Sequence, residues 1–170
     1  MIRDETAADG RAIFEVTRAA FENHPISRQT EPYIVEALRA AGALAVSLVA
    51  EADGRVVGHV AFSPVTLSDG SQGWYGVGPI SVLPECQRRG IGTALMREGL
   101  SRLRALGAEG CILVGDPAYY ERFGFKSLPD LTHEGVPQEN VLTLPLGRTR
   151  ARGVVTFHPA FMATGDQAPP

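Results

Sequence analysis

The segment 78–107 leaves this chain few options, because it sets a strand, a loop with two closely spaced glycines and a helix in immediate succession. Gly78-Pro79-Ile80-Ser81-Val82 is apolar, carries β-branched residues and is closed by Leu83-Pro84, which reads as a short buried strand. Gln87-Arg88-Arg89-Gly90-Ile91-Gly92-Thr93 follows as the loop. Thr93 is the expected N-cap of a helix in which Leu95, Met96, Leu100, Leu103 and Leu106 recur at helical spacing until Gly107 closes it. Without side chains, Gly90 and Gly92 allow the amides of the loop and first helical turn to converge on one point, where the helix dipole also favours negative charge. A pyrophosphate fits such a nest, and Arg88 and Arg89 add permanent positive charge beside it. The alternative is a solvated strand-to-helix turn, since a Gly-x-Gly by itself is common.

Two familiar phosphate loops fail on spacing. There is no Gly-x-x-x-x-Gly-Lys-Ser/Thr, and Leu95 stands where a dinucleotide fold needs its third glycine. The segment does resemble the acyl-CoA loop of the GNAT acetyltransferases, Gln/Arg-x-x-Gly-x-Gly/Ala, which Gln87-Arg88-Arg89-Gly90-Ile91-Gly92 matches without a mismatch. A second motif lies downstream. Cys111-Ile112-Leu113-Val114-Gly115 reads as another buried strand, and Asp116-Pro117 as the N-cap and first turn of a short helix that closes at Gly124. In GNAT enzymes a Tyr four residues before a Gly-Phe pair sits beside the thioester sulfur; here Tyr120 stands four residues before Gly124-Phe125. Without the upstream loop, Tyr119 and Tyr120 would read as an aromatic pair packing a small helix.

The resemblance spans 2–158 and implies an α/β (α+β) GNAT fold. This is a central mixed, mostly antiparallel sheet of six to seven strands with about four helices, and a splayed strand pair that forms the acetyl-CoA cleft. It further implies a bulge near Leu83-Pro84, a pyrophosphate held by Gln87, Arg88, Arg89, Gly90, Ile91, Gly92 and Thr93, and a pantetheine arm along Ile80, Ser81 and Val82. Asp116, Ala118 and Tyr119 join the cofactor-binding set, and Tyr120 is the implied general acid. The reaction implied is transfer of an acetyl group from acetyl-CoA to a primary amine by direct attack. Two rivals stand beside it: a non-catalytic acyl-CoA sensor on the same fold, and a nucleotide-binding module with a coincidental loop.

Length and charge narrow the class. At 170 residues the chain suits one domain, taken as 1–161 with 162–170 as a flexible tail. A net charge of −3 gives no basis for nucleic-acid or anionic-membrane binding, so anions must be bound locally. No apolar run is long enough to span a membrane and the N-terminus is too polar for a signal peptide, so a cytoplasmic protein, monomer or homodimer, is expected. Two cysteines without His or Cys pairs at ligand spacing predict no metal. Cys111 reads as core, whereas Cys86 abuts the basic loop.

In chain order, Ile2 opens a first strand and Thr6-Ala7-Ala8-Asp9 has the shape of a capping box. The helix after it would bury Ile13, Val16, Ala20 and Phe21. A Pro-broken loop separates it from a second helix with Ile34, Val35 and Leu38 inward, and this pair resembles the lid over the acceptor amine. Two hairpins follow through Asp53-Gly54 and Asp69-Gly70, with Pro64 marking an edge or bulge. Gly99, costly within a helix by about 1 kcal/mol, predicts a close approach to the sheet. The stretch 126–139 reads as loop, and the last two strands are expected to be joined by the basic turn 147–153. That turn is either solvated surface or, by the resemblance, a wall of the acceptor site. A base for the amine is sought among Glu22, Glu31, Glu36, His24 and His158, each of which equally suits a solvated or capping position.

Overall fold

The computed structural model describes residues 1–166. Strand β1 (Ile2–Asp4) leads into helix α1 (Gly10–Phe21), and α2 (Glu31–Ala40) follows the Pro-broken loop. Next come β2 (Val46–Ala52), β3 (Arg55–Pro64), β4 (Thr66–Leu67), β5 (Trp74–Val82), α3 (Ile91–Ala105), β6 (Gly110–Val114) and α4 (Pro117–Tyr120). The last elements are β7 (Leu131–Thr132), β8 (Val141–Pro145) and β9 (Gly153–Thr156). Six strands form one sheet in the order β1-β2-β3-β5-β6-β8, antiparallel except for the β5–β6 pair. The expected mixed sheet is thus the six-stranded form.

Three expectations need correction. The two C-terminal strands are not neighbours: β8 pairs with β6, whereas β9 pairs with β4 and β7 in a small second sheet. Pro64 prepares this separation. It cannot donate to a ladder, β3 ends on it, and the chain turns out of the main sheet into β4. Within 126–139, read as loop, lie β7 and a 3-10 turn at Gln138–Asn140. In α1, Ile13 and Val16 are buried as expected, but Ala20 and Phe21 are half-exposed. The fully buried polar residue is Thr17, whose hydroxyl returns to the Ile13 carbonyl at 2.7 Å. Of the expected tail, Ala163 is buried, and residues 167–170 lie outside the described residues.

Helix α3 covers one face of the sheet, with Leu95, Met96, Leu100 and Leu103 packed among Leu48, Val60, Phe62 and Leu113. On the opposite face, Ile13 of α1 and Val35 of α2 meet Val49. The close approach predicted at Gly99 is real: a Cβ there would lie 2.2 Å from Cε2 of the fully buried Phe62. Gly99→Ala gains about 1 kcal/mol of helix propensity. Overpacking against an aromatic ring costs typically 1–3 kcal/mol, and an overlap this deep belongs at the upper end. A net loss of about 2 kcal/mol is therefore expected in urea unfolding; an unchanged midpoint would show that ring and helix yield freely.

A polar network ties β1, β2, β3 and α2 together. The Glu5 carboxylate accepts from Arg39 Nε at 2.8 Å and Arg39 Nη2 at 3.1 Å, and is in short contact with Ser47 Oγ. Ser47 Oγ in turn lies 2.7 Å from Nε2 of the fully buried His59. Burial by itself would raise the Glu5 pKa, but the nearby His59 ring, 3.8 Å away, and hydrogen bonds from Arg39 and Ser47 outweigh it and bring it down to about 2. A depressed carboxylate stabilises the fold above its unfolded pKa, near 4.5, and that contribution disappears as pH falls toward 2. The melting-temperature gap between the parent and Glu5→Gln should accordingly be widest near neutrality and shrink between pH 5 and 2. A gap independent of pH would assign Glu5 no role in acid unfolding.

Candidate active site

Strand β5 is hydrogen-bonded to β6 only at its start, where Trp74, Tyr75 and Gly76 face Gly110, Cys111 and Ile112. Beyond Gly76 the two strands diverge, while β5 stays paired with β3 on its other edge as far as Val82. The cause is a bulge. Between Val60↔Ile80 and Phe62↔Val77, the single residue Ala61 of β3 faces two residues of β5, Gly78 and Pro79. Gly78 takes φ 132°, and Pro79 has no N–H to offer a partner strand. The bulge expected near Leu83-Pro84 therefore lies four to five residues earlier, and Leu83-Pro84 leads instead into a 3-10 turn at Pro84–Cys86. From residue 77 onward, the edge of β5 facing β6 has no strand partner among the described residues.

That edge runs into the glycine loop. Helix α3 begins at Ile91, with Gly90 as N-cap, so Thr93 is the third helical residue and not the cap. Arg88 (φ 64°) and Gly90 (φ 83°) are left-handed while Arg89 and Ile91 are not, the alternation that curls successive amides into a concave nest. Among the described residues, the amides of Arg88, Arg89 and Gly90 have no backbone acceptor, and those of the first helical turn have none within the helix. Gln87 does more than border the loop: its Nε2 donates to the Val82 carbonyl at 3.0 Å, fastening the loop to the end of the strand.

Strand and loop together wall a cleft of about 580 Å³. Ile80, Ser81 and Val82 form one side, and Gln87, Arg88, Gly90, Ile91, Gly92 and Thr93 close one end. Tyr119 forms the opposite side, with its hydroxyl 3.3 Å from where a Cβ on Gly92 would sit. Of the other residues expected here, Arg89, Asp116, Ala118 and Tyr120 are not part of the lining. Asp116 serves as the N-cap of α4, accepting from the Ala118 amide at 2.9 Å.

Cys86, expected to abut the basic loop, does line the cleft, and it is buried. One residue of the lining escaped the sequence reading. Arg122 lies over the Tyr119 ring at 4.4 Å and donates from Nε to the Tyr119 carbonyl at 2.8 Å. Its i,i+3 spacing from Tyr119 was the available signal.

Tyr120 is the last residue of α4, which follows β6 at the splayed end of the sheet. Its ring lies so close to Gly115 that a Cβ there would meet Cε2 at 2.6 Å, and it packs edge-on to Tyr119 at 4.9 Å and to Phe125 at 6.1 Å. Burial, with a smaller contribution from Tyr119, pushes the phenol up to about 12, so it is protonated throughout the working pH range. The residues considered as bases have other roles or positions. Glu31 accepts from Ser27 Oγ at 2.6 Å, His24 Nδ1 from the Ile26 amide at 3.3 Å, and His158 Nδ1 from the Ala160 amide at 3.0 Å. Glu22 lies 3.8 Å from Arg18, and Glu36 is exposed. The basic turn 147–153 is anchored to Glu109 and Asp69, at the Gly110 end of β6 and away from Tyr120, so it does not wall this cleft.

A mixed sheet whose one parallel pair splays open beside a nest of free amides suits an enzyme that grips an extended, phosphate-bearing group by main chain. Comparison with known proteins gives the family. The model of the acetyltransferase (GNAT) family matches residues 11–125. The uncharacterized N-acetyltransferase YhbS of Escherichia coli strain K12 is 37% identical over 127 residues, covering 74% of this chain and 73% of that protein. A crystal structure of a GNAT family acetyltransferase from Brucella melitensis in complex with acetyl-CoA superposes with a TM-score of 0.85 at 49% identity, over 95% of this chain and 97% of the other. The structure of YhbS from Escherichia coli in complex with CoA gives 0.87 at 32% identity, over 97% and 93%. The chain belongs to the GNAT acetyltransferase family, and as such it is an acyltransferase. No helix among the described residues is long and apolar enough to cross a membrane, and no three His, Cys, Asp or Glu side chains among them gather as a metal site.

Proposed function

We propose that this protein moves the acetyl group of acetyl-CoA to a primary amine of a small molecule or peptide, within a single catalytic domain spanning 1–161. The observation that carries the reading is the continuity of the unpaired β5 edge with the amide nest at α3, one track of free main-chain groups ending in a concave anion site. The acetyl-CoA and CoA bound by the two solved relatives support the same occupant. The residues fit it: the amides of 88–93 and the guanidinium group of Arg88 would hold the phosphates, with Gln87 bracing the loop. The main chain of Ile80, Ser81 and Val82 takes the pantetheine arm as an added strand, against Tyr119 on the other side.

Acetyl-CoA supplies an acetyl group already activated as a thioester. Tyr120 donates its hydroxyl hydrogen to the departing sulfur. With the phenol near 12 and an ordinary thiol near 8.5, complete proton transfer is uphill, so hydrogen bonding to the developing thiolate is the larger part of the contribution. A residue in this role favours catalysis over sensing.

The deciding experiment incubates the protein with acetyl-CoA and a panel of amines, including amino acids, polyamines, aminoglycosides and peptides, and follows free thiol. Amine-dependent thiol release, insensitive to ATP or NAD, is expected. Tight acetyl-CoA binding with no turnover on any amine would make the protein a sensor, and competition by ATP or NAD would make the cleft a nucleotide site.

A further inference from the structure

The basic turn 147–153 takes no part in the coenzyme cleft, yet it encloses something of its own. Between it and the start of β5 lies a cavity of about 490 Å³, a volume suited to a small organic ligand. Leu128, Pro129 and Pro145 give it an accessible apolar wall, backed by the buried Trp74, Leu131 and Ala151, and Arg148 and Arg150 line it as well. The backbone of the turn is already committed. The Gly147 amide donates to the Glu109 carbonyl at 2.9 Å, the Thr149 amide to Glu109 Oε2 at 3.1 Å, and the Arg152 amide to Asp69 at 2.9 Å. Asp130, which also faces the cavity, lies 3.9 Å from Arg152. The nearby acids are therefore taken up by amides or by Arg152, while Arg148 and Arg150 are exposed and have no acidic partner among the described residues. The indole Nε1–H of Trp74, behind the wall, is one of five buried side-chain polar atoms without a hydrogen-bond partner among the described residues.

We propose that this cavity is a second binding site, for a small oxyanion carried on a flat apolar body, such as an aryl phosphate or aryl carboxylate. The apolar part lies against Leu128, Pro129 and Pro145, the accessible wall in front of the buried Trp74, and the oxyanion takes the planar donor forks of Arg148 and Arg150. The site is distinct from the coenzyme cleft. Trp74 is paired with Gly110, the first residue of β6, whereas the cleft opens past the other end of that strand, roughly 13 Å away at about 3.3 Å per residue.

The test uses the full chain saturated with CoA, which blocks the amide nest. Phenyl phosphate and benzoate are titrated in, with benzyl alcohol as the neutral control, and binding is read both by calorimetry and by the fluorescence of Trp74, the only tryptophan in the chain. Saturable heat and a matching fluorescence change are expected for at least one anion and not for the alcohol. The Arg148→Ser/Arg150→Ser double variant, changed only on the surface, should bind that anion at least about tenfold more weakly and keep its affinity for CoA. The proposal is overturned if neither anion gives saturable heat, if benzyl alcohol binds as well, or if the double variant binds like the parent.

Discussion

A Gly90→Glu variant will fold and yet fail to retain coenzyme A. Gly90 lines the cleft in a left-handed conformation, and nothing lies within 4 Å of where its Cβ would be. The substitution therefore meets no protein atom. It acts in three other ways: it places a side chain in the space meant for phosphate, it brings a negative charge to a site built from N–H dipoles, and it asks a non-glycine residue to adopt φ 83° at about 1–2 kcal/mol. For a coenzyme bound at about micromolar affinity, or about −8 kcal/mol, the combined loss takes binding out of a measurable range. Gly90→Ala separates the contributions, because it carries the backbone cost alone and should lose only about tenfold. Calorimetry with CoA on proteins shown to be folded by circular dichroism reads both. Normal CoA affinity in the folded Glu variant would falsify the phosphate nest.

Tyr120→Phe is expected to leave that affinity nearly intact and to lower kcat by roughly 100-fold, within the range for loss of a group that assists proton transfer. The ring stays wedged between Gly115, Tyr119 and Phe125, so the packing of the phenyl group is conserved. Only the hydroxyl is lost, and on the proposed reading it acts when charge gathers on the departing sulfur, which is why the effect should fall on kcat and not on CoA binding. Since the phenol is pushed up to about 12, the parent's rate should show no decline from Tyr120 ionisation below about pH 11. Equal kcat for the two proteins on the best amine of the panel would remove Tyr120 from the reaction.

The parts of the fold and site that were legible in the sequence depend on neighbours in the chain. The spacing of Gly90 and Gly92 after an apolar strand, the periodicity of Leu95 to Leu103, and Tyr120 four residues before Gly124 all act within one or two turns of backbone. Gly99 could be read because a glycine inside a helix needs a reason, and Phe62 supplies it. What escaped depends on pairing between distant segments. The bulge at Gly78-Pro79 exists only relative to the register of β3, and neither residue alone says which strand will face it. The bond between Glu5, Arg39, Ser47 and His59 joins four elements spread over fifty-odd positions. Thr17 could not be recognised as buried, because its hydroxyl is satisfied by its own helix. That the basic turn does not join two paired strands was hidden for a similar reason: β8 runs back along β6 while β9 leaves for the second sheet, which composition does not reveal.

The clamp from Gln87 to Val82 links two tasks that are otherwise chemically separate. On the proposed reading, one amide group sets the distance between the strand edge that would take a peptide-like arm and the loop that would take phosphates, so the cleft measures its occupant like a gauge of fixed length. A thioester whose phosphates and carbonyl are spaced as in coenzyme A touches both ends at once, while a shorter carrier that shares the same reactive end reaches only one. Selection of the donor is then a matter of span, decided far from the sulfur, and the side chains around the acceptor are left free to diverge without disturbing it.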